Sequence, residues 1–245
     1  MASHPPGQCC IVGVKHEGQA TGEMKTIGDN ISTYFAYPKD KSTQNAILIL
    51  TDGMGHGVIN SQLIADQLAA NGYFVVMPDL FYGDPAVMNA PGFDIYAWLP
   101  KHGPETVDPV VEAALKHMRG PLGCKSVGGV GYCFGAKYVA RNLKAGRVDA
   151  GYIAHPSLLT LEELRAIEGP LSIAAAETDE TFPPEMRHES EAALKDVGVA
   201  YQINLYSGVE HGFAARGDVS KRLVKFAKEQ AFLQAVAWFD EWIKS

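Results

Sequence analysis

The chain has 245 residues, 47% of them apolar, with 25 glycines and a net charge of −7. That length and composition suit a packed globular protein, either one large α/β domain or two small ones. The negative charge argues against nucleic acid and anionic membrane surfaces as partners, since binding phosphates needs a positive stripe, and no apolar run approaches the roughly 18 residues of a membrane span.

The first residues, Met1-Ala2-Ser3-His4-Pro5-Pro6-Gly7, lack the charged and apolar regions of a secretory signal, and the tail Ile243-Lys244-Ser245 is no receptor-read address, so a cytoplasmic protein is expected. Cys9, Cys10, Cys124 and Cys133 fit a reducing compartment, and their spacing resembles neither a zinc site nor a C-x-x-C redox pair. Cys9 and Cys10, being adjacent, are expected to point to opposite faces of an extended segment as small buried apolar residues. Short apolar runs predict strands at Ile31–Tyr37, Ala46–Thr51, Phe74–Pro78, Val127–Gly131, Ala150–Ala154, Leu171–Ala176 and Tyr201–Leu205. Between them, apolar residues at helical spacing predict helices over Ser61–Asn71, Val107–Met118, Pro184–Val197 and roughly Lys221–Lys244. Strand–helix alternation of this kind means a mostly parallel sheet with helices on both faces, in one α/β domain over 1–245, with any active site along the edge of strand C-termini. The segment Asp79–Pro104 breaks the pattern; it is rich in Pro, Gly and aromatics and follows a strand end, so it is expected to line or cap the site.

The most informative stretch is Gly131-Tyr132-Cys133-Phe134-Gly135, preceded by a strand and followed by the helical Ala136–Ala140. It matches the G-x-nucleophile-x-G elbow of an α/β-hydrolase, with cysteine in the slot where serine usually sits. A thiolate is a strong nucleophile that forms at a lower pKa than any hydroxyl, but it needs a base and an acid that orients the base. In this fold class those partners follow the nucleophile in the order acid, then histidine. The loop after Leu171–Ala176 contains Asp179, flanked by Glu177 and Glu180 as competitors, and His211-Gly212 follows the last strand. His56 and His155 also follow strands and are expected to be hydrogen-bonded structural residues, whereas His4, His16, His102, His117 and His188 are expected to be solvated. Two backbone donors should receive the developing oxyanion: the N–H of Phe134, and that of Gly53 in the loop Thr51-Asp52-Gly53-Met54-Gly55-His56-Gly57.

These motifs, together with Pro78-Asp79-Leu80-Phe81, Pro183 downstream of Asp179 and His211-Gly212-Phe213, resemble the dienelactone hydrolase family, in particular its fungal branch, over nearly the whole chain. The resemblance implies an α/β-hydrolase with a triad of Cys133, His211 and Asp179, hydrolysing activated carboxylic esters or lactones through a thioester intermediate. It implies no metal or organic cofactor, and a small-molecule ester or lactone as partner, on a monomer or homodimer. It further places Asp52 where bacterial members carry a glutamate that helps generate the thiolate. Bacterial members hold their substrate carboxylate with two arginines; here Gly83 stands at one position, and Arg216 falls one residue late for the other. The aromatics Phe81, Tyr82 and Trp98 then suggest a larger, less charged acyl or lactone substrate, with Arg216 still a substrate-binding candidate. Two other functions stay open on the same scaffold: a redox-sensitive or ligand-binding thiol protein, and a tailoring enzyme of secondary metabolism acting as a C–C hydrolase or isomerase.

Overall fold

The computed structural model describes residues 1–244. Eight strands form one sheet: β1 (Glu23–Ile27), β2 (Ile31–Ala36), β3 (Asn45–Leu50), β4 (Phe74–Pro78), β5 (Ser126–Tyr132), β6 (Ala150–Ala154), β7 (Leu171–Thr178) and β8 (Tyr201–Glu210), in the order β1-β2-β4-β3-β5-β6-β7-β8. The first two strands form an antiparallel hairpin, and β2 pairs antiparallel with β4; every other pairing is parallel. Ala46–Leu50, Phe74–Pro78 and Ala150–Ala154 are buried along their whole length, which is why they read as unbroken apolar runs: helices cover the sheet on both faces. One face carries α1 (Ile59–Ala70) and, at the chain's end, a long helix over Arg222–Trp242; Ile64, Leu68, Ala231 and Phe239 fill that layer. The other face packs Val107, Val111, Leu115, Val139, Leu164 and Leu194 from the intervening helices.

Those helices are α2 (Ile95–Trp98), α3 (Pro104–Arg119), α4 (Gly135–Asn142), α5 (Leu161–Arg165) and α6 (Pro184–Val197); the short α7 (Phe213–Arg216) packs in the first layer with α1 and Arg222–Trp242, which is α8. Helix α3 starts three residues before its expected position because Pro104 occupies the first turn, where a missing N–H costs nothing. Helix α6 has the expected bounds, and Gly198 at φ 77° supplies the left-handed stop. Strands β7 and β8 run past their expected ends to Thr178 and Glu210, and this extension delivers the loops that follow them to the same sheet edge. β1 has no apolar signal, since four of its five residues are exposed; its backbone pairing with β2 alone makes it a strand.

Before β1 the chain runs as a strap along the C-terminal edge of the sheet. Ala2 N–H donates to the Leu159 carbonyl (2.8 Å), His4 N–H to Thr181 (2.7 Å) and Val14 N–H to Arg216 (2.9 Å), while Asn89 N–H donates to Ile11 (2.8 Å). No helix among the described residues is long and apolar enough to cross a membrane.

Candidate active site

Cys133 sits on the turn between β5 and α4 with φ at 49°, a left-handed conformation that a side chain normally avoids and that the surrounding structure must hold in place. The flanking glycines permit the turn: a Cβ on Gly131 would lie 2.7 Å from the Ala136 Cα, and one on Gly135 would run into the Leu50 carbonyl. Cys133 N–H donates to the Ala154 carbonyl (3.1 Å), and the Cys133 carbonyl accepts from Ser157 (3.1 Å), so the elbow is tied to β6 and the loop after it. The thiol is buried, with Sγ 3.5 Å from Ser157 Oγ.

Asp179 and His211 follow the extended ends of β7 and β8 directly. His211 Nδ1 lies 2.9 and 3.0 Å from the two oxygens of Asp179. The carboxylate is itself fixed by the Thr181 hydroxyl (2.8 Å) and by the amides of Thr181 (2.9 Å) and Phe182 (3.1 Å). Its neighbours Glu177 and Glu180 are exposed, and Glu177 accepts instead from the Gly208 amide, so Asp179 alone of the three reaches the histidine. Burial works against ionisation of Asp179, yet the hydrogen bond and charge of His211 and the Thr181 donors hold its pKa below the usual value.

Cys10 is a fourth group at the site, one that the sequence did not reveal. It lies in a 3₁₀ turn, Gln8–Ile11, rather than the extended segment expected, and its Sγ is 3.4 Å from His211 Nε2. Sγ of Cys10, Sγ of Cys133 and a ring nitrogen of His211 lie within 4.8 Å of one another, all on buried residues. Cys9, half-buried beside it, has Sγ 3.9 Å from that of Cys10. No local pattern carries this: adjacency to the base depends on the strap being held to Leu159, Thr181 and Arg216. Burial pushes the Cys133 thiol up, but the Cys10 hydrogen bond, the charge and hydrogen bond of His211 and the charge of Arg216 outweigh it and hold the pKa well below that of a free thiol. His211 is depressed by burial and raised more by the Cys133 thiolate and Asp179, to about 10. Each charge favours the other, so the two shifts run in the direction of a thiolate beside an imidazolium. The Cys10 thiol stays protonated, its pKa raised by its hydrogen bonds to Cys133 and Cys9 and by burial.

Asp52 accepts from the Met54 amide (3.0 Å) and pairs with Arg216, whose Nη1 lies 2.5 Å from Oδ2. No hydrogen bond joins Asp52 to Cys133 among the described residues. Burial raises the Asp52 pKa, with the Arg216 charge opposing it. Arg216, expected to face a substrate carboxylate, is only 2% exposed and has its guanidinium committed to Asp52 and to the carbonyls of Val12 (2.8 Å) and Cys9 (3.3 Å). A buried guanidinium needs a counter-charge, and Asp52 supplies one internally.

Neither the Gly53 nor the Phe134 amide donates to another described residue. A Cβ on Gly53 would stand 3.6 Å from Ala86 and 3.7 Å from the Trp98 ring, which walls the loop. Phe81 and Trp98 pack on Phe134 with ring centroids 5.2 and 6.0 Å away, so both lie beside the elbow. Tyr82 does not: at φ 50° the chain reverses, and its ring is exposed beside a small cleft with Asn30, Ile31 and Ser32. His56 is a hydrogen-bonded structural residue, 2.9 Å from Ser32 Oγ and 3.7 Å from Asp79. His102 is buried rather than solvated, stacked on Trp98 at 4.2 Å. His155 departs furthest from expectation: it is buried at φ 38°, neither ring nitrogen has a hydrogen-bond partner, and its ring meets that of His211 edge-on at 5.0 Å. Burial, with the charges of His211 and Arg216, keeps it neutral.

The profile of the Dienelactone hydrolase family matches residues 31–243. The chain is 56% identical over 245 residues to hydrolase pyvD of Aspergillus violaceofuscus, covering all of both chains. It is 52% identical to hydrolase tropI of Talaromyces stipitatus, covering 100% of this chain and 99% of that one. Among solved structures, a putative dienelactone hydrolase from Klebsiella pneumoniae superposes with a TM-score of 0.74 at 19% identity, over 91% of this chain and 99% of the other, which speaks for the α/β-hydrolase fold. With that match spanning nearly the whole sheet and every helix beyond it, the chain belongs to the dienelactone hydrolase family and is a carboxylic ester or lactone hydrolase.

Proposed function

We propose that the protein hydrolyses neutral activated esters or lactones with Cys133 as nucleophile, His211 as acid and base, and Asp179 as the group that orients His211. The observation that carries this reading is the His211 ring held by Asp179 on Nδ1, with the Cys133 thiol within 4.8 Å of a ring nitrogen. The Cys133 thiolate attacks the carbonyl carbon, and the oxygen takes the negative charge facing the amides of Phe134 and Gly53. As the tetrahedral intermediate collapses, His211 Nε2–H gives its proton to the departing oxygen, leaving a thioester and a neutral imidazole. That imidazole takes a proton from water, the hydroxide adds to the thioester, and collapse restores thiolate and imidazolium with release of the acid. A thiolate is a good leaving group, so the first intermediate reverts unless the other leaving group is also good; enol lactones and aryl esters fit, simple alkyl esters and amides do not.

Neutral substrates are favoured because Gly83 offers no side chain and Arg216 is neutralised by Asp52. Steady-state hydrolysis of aryl acetates, a neutral enol lactone and dienelactone, by wild type and Cys133→Ala, tests both parts. Wild type should prefer the neutral compounds, and the variant should lose about 10³-fold or more in kcat/KM. Full activity in Cys133→Ala would overturn the nucleophile, and a preference for the carboxylate-bearing lactone would overturn the substrate class.

The closeness of Cys10 to Cys133 favours a second reading, a redox-responsive thiol. Peroxide would convert the Cys133 thiolate to sulfenic acid, and the Cys10 thiol would then displace water to form a disulfide. Mass analysis after peroxide, before and after reduction, distinguishes this from irreversible over-oxidation.

A further inference from the structure

We propose that Cys10 Sγ, Cys133 Sγ and His211 Nε2 together form a binding site for one thiophilic divalent cation of the zinc class, and that its occupancy switches the hydrolase off. Three segments far apart in sequence meet here: the strap, the elbow after β5 and the turn after β8. Their ligand atoms lie within 4.8 Å of one another, and Cys10 Sγ to His211 Nε2 is 3.4 Å. Bonds of about 2.3 Å to sulfur and 2.0–2.1 Å to nitrogen in a tetrahedron put sulfur and nitrogen about 3.6 Å apart, close to the separation Cys10 and His211 already have.

The surroundings have the features of a metal site rather than of chance proximity. Asp179 holds His211 Nδ1, which directs Nε2 at the thiols and fixes the tautomer a metal needs, the outer-shell arrangement found at histidine-bound zinc. Two sulfurs and one imidazole select zinc or a similarly soft ion over magnesium or calcium, which prefer oxygen. A cavity of about 610 Å³ reaches His211, edged by Glu180, Glu210 and Asp218 and also by Arg216 and Lys221. Three protein ligands leave a fourth position for water.

Binding is not a redox step. Two zinc–sulfur bonds and one zinc–nitrogen bond form; Cys10 and Cys133 bind as thiolates and His211 as neutral imidazole, and the protons these groups carried pass to solvent. Because the ion takes both the nucleophile's lone pair and the base's, it opposes hydrolysis rather than assisting it. The switching half of the proposal rests on the triad reading above; the binding half does not.

The test is a titration of the intact reduced chain with cobalt(II), followed by displacement with zinc(II). The expected result is saturation at one ion per chain, with thiolate-to-cobalt charge-transfer absorption that zinc abolishes. Cys10→Ser and Cys10→Ala should each remove about half of that absorption and weaken binding by about 100-fold, while Cys124→Ser, buried away from the site, should bind as wild type. Cys10 lies on the strap outside the sheet and packs among buried apolar residues, so Cys10→Ala, which keeps a small apolar side chain there, tests the site even if Cys133→Ser does not fold. No saturable binding, or unchanged binding in the Cys10 variants, would overturn the site. Binding with undiminished turnover in the loaded protein would overturn the switch. Binding in a protein that hydrolyses no ester under any condition would leave the site standing and remove the triad reading instead.

Discussion

Replacing Arg216 by methionine would leave the Asp52 carboxylate buried without its partner. Both groups are nearly inaccessible, at 2% and 4% exposure, and they contact directly. Removing one member of such a pair costs about 3–5 kcal/mol, because the remaining charge has lost its compensation and cannot reach water. The two strap carbonyls that Arg216 holds, on Val12 and Cys9, add to the loss. For a chain of this size each kcal/mol lowers the melting temperature by about 2–4 °C, so a drop of about 10 °C is expected. The deficit depends on pH with a definite sign. Burial already raises the Asp52 pKa and Arg216 is the main group pulling it back, so the variant's carboxyl titrates higher still. A carboxyl with a raised folded-state pKa is favoured when protonated, so the penalty should shrink as pH falls from 8 to 5. Equilibrium urea unfolding at several pH values, with Asp52→Asn/Arg216→Met beside the single variant, measures this. The double variant should recover part of the loss. A single variant within 0.5 kcal/mol of wild type, or a double variant no better than the single, would refute the reasoning.

Asp179→Asn should retain the fold but lower kcat/KM by about 10³–10⁴-fold, measured on an aryl ester, since the amide cannot hold the imidazolium. Alkylation of Cys133 by iodoacetamide should rise less steeply from pH 6 to 8 than that of a free thiol, because its pKa is lowered; a rate rising tenfold per unit would contradict that. Over the same range Cys124, its thiol pushed by burial to about 11, should remain unreactive, as peptide mapping would report. Gly135→Ala should destabilise by about 3 kcal/mol or more in thermal melts, since the added methyl meets the Leu50 carbonyl, which cannot move without disturbing β3.

Cys133, Asp179 and His211 were legible because each falls directly after a strand whose apolar run is plain in the sequence, and parallel strands bring such positions to one edge. Cys10 was not, because its place beside His211 depends on packing across 201 positions and on hydrogen bonds made by backbone groups, which have no residue signature. Arg216 was legible as a group near the site, but not its partner: the sequence holds 28 acidic residues, and only the fold selects Asp52. β1 escaped notice because an exposed edge hairpin carries no apolar alternation. His155 was expected to be hydrogen-bonded, and its orphaned ring shows that a histidine after a strand can be held by aromatic packing, here on Tyr132, Phe213 and His211.

The distance along the chain between the elbow and the groups that activate it has a consequence for synthesis. A ribosome makes Cys133 well before Asp179, His211 and Arg216. Until those residues emerge, the thiol has neither the imidazolium nor the guanidinium that lowers its pKa, and it behaves as an ordinary cysteine. On the proposed triad, the nascent chain is therefore spared a reactive thiolate while it is still unfolded, and Cys133 gains its activating partners only when the last third of the polypeptide docks.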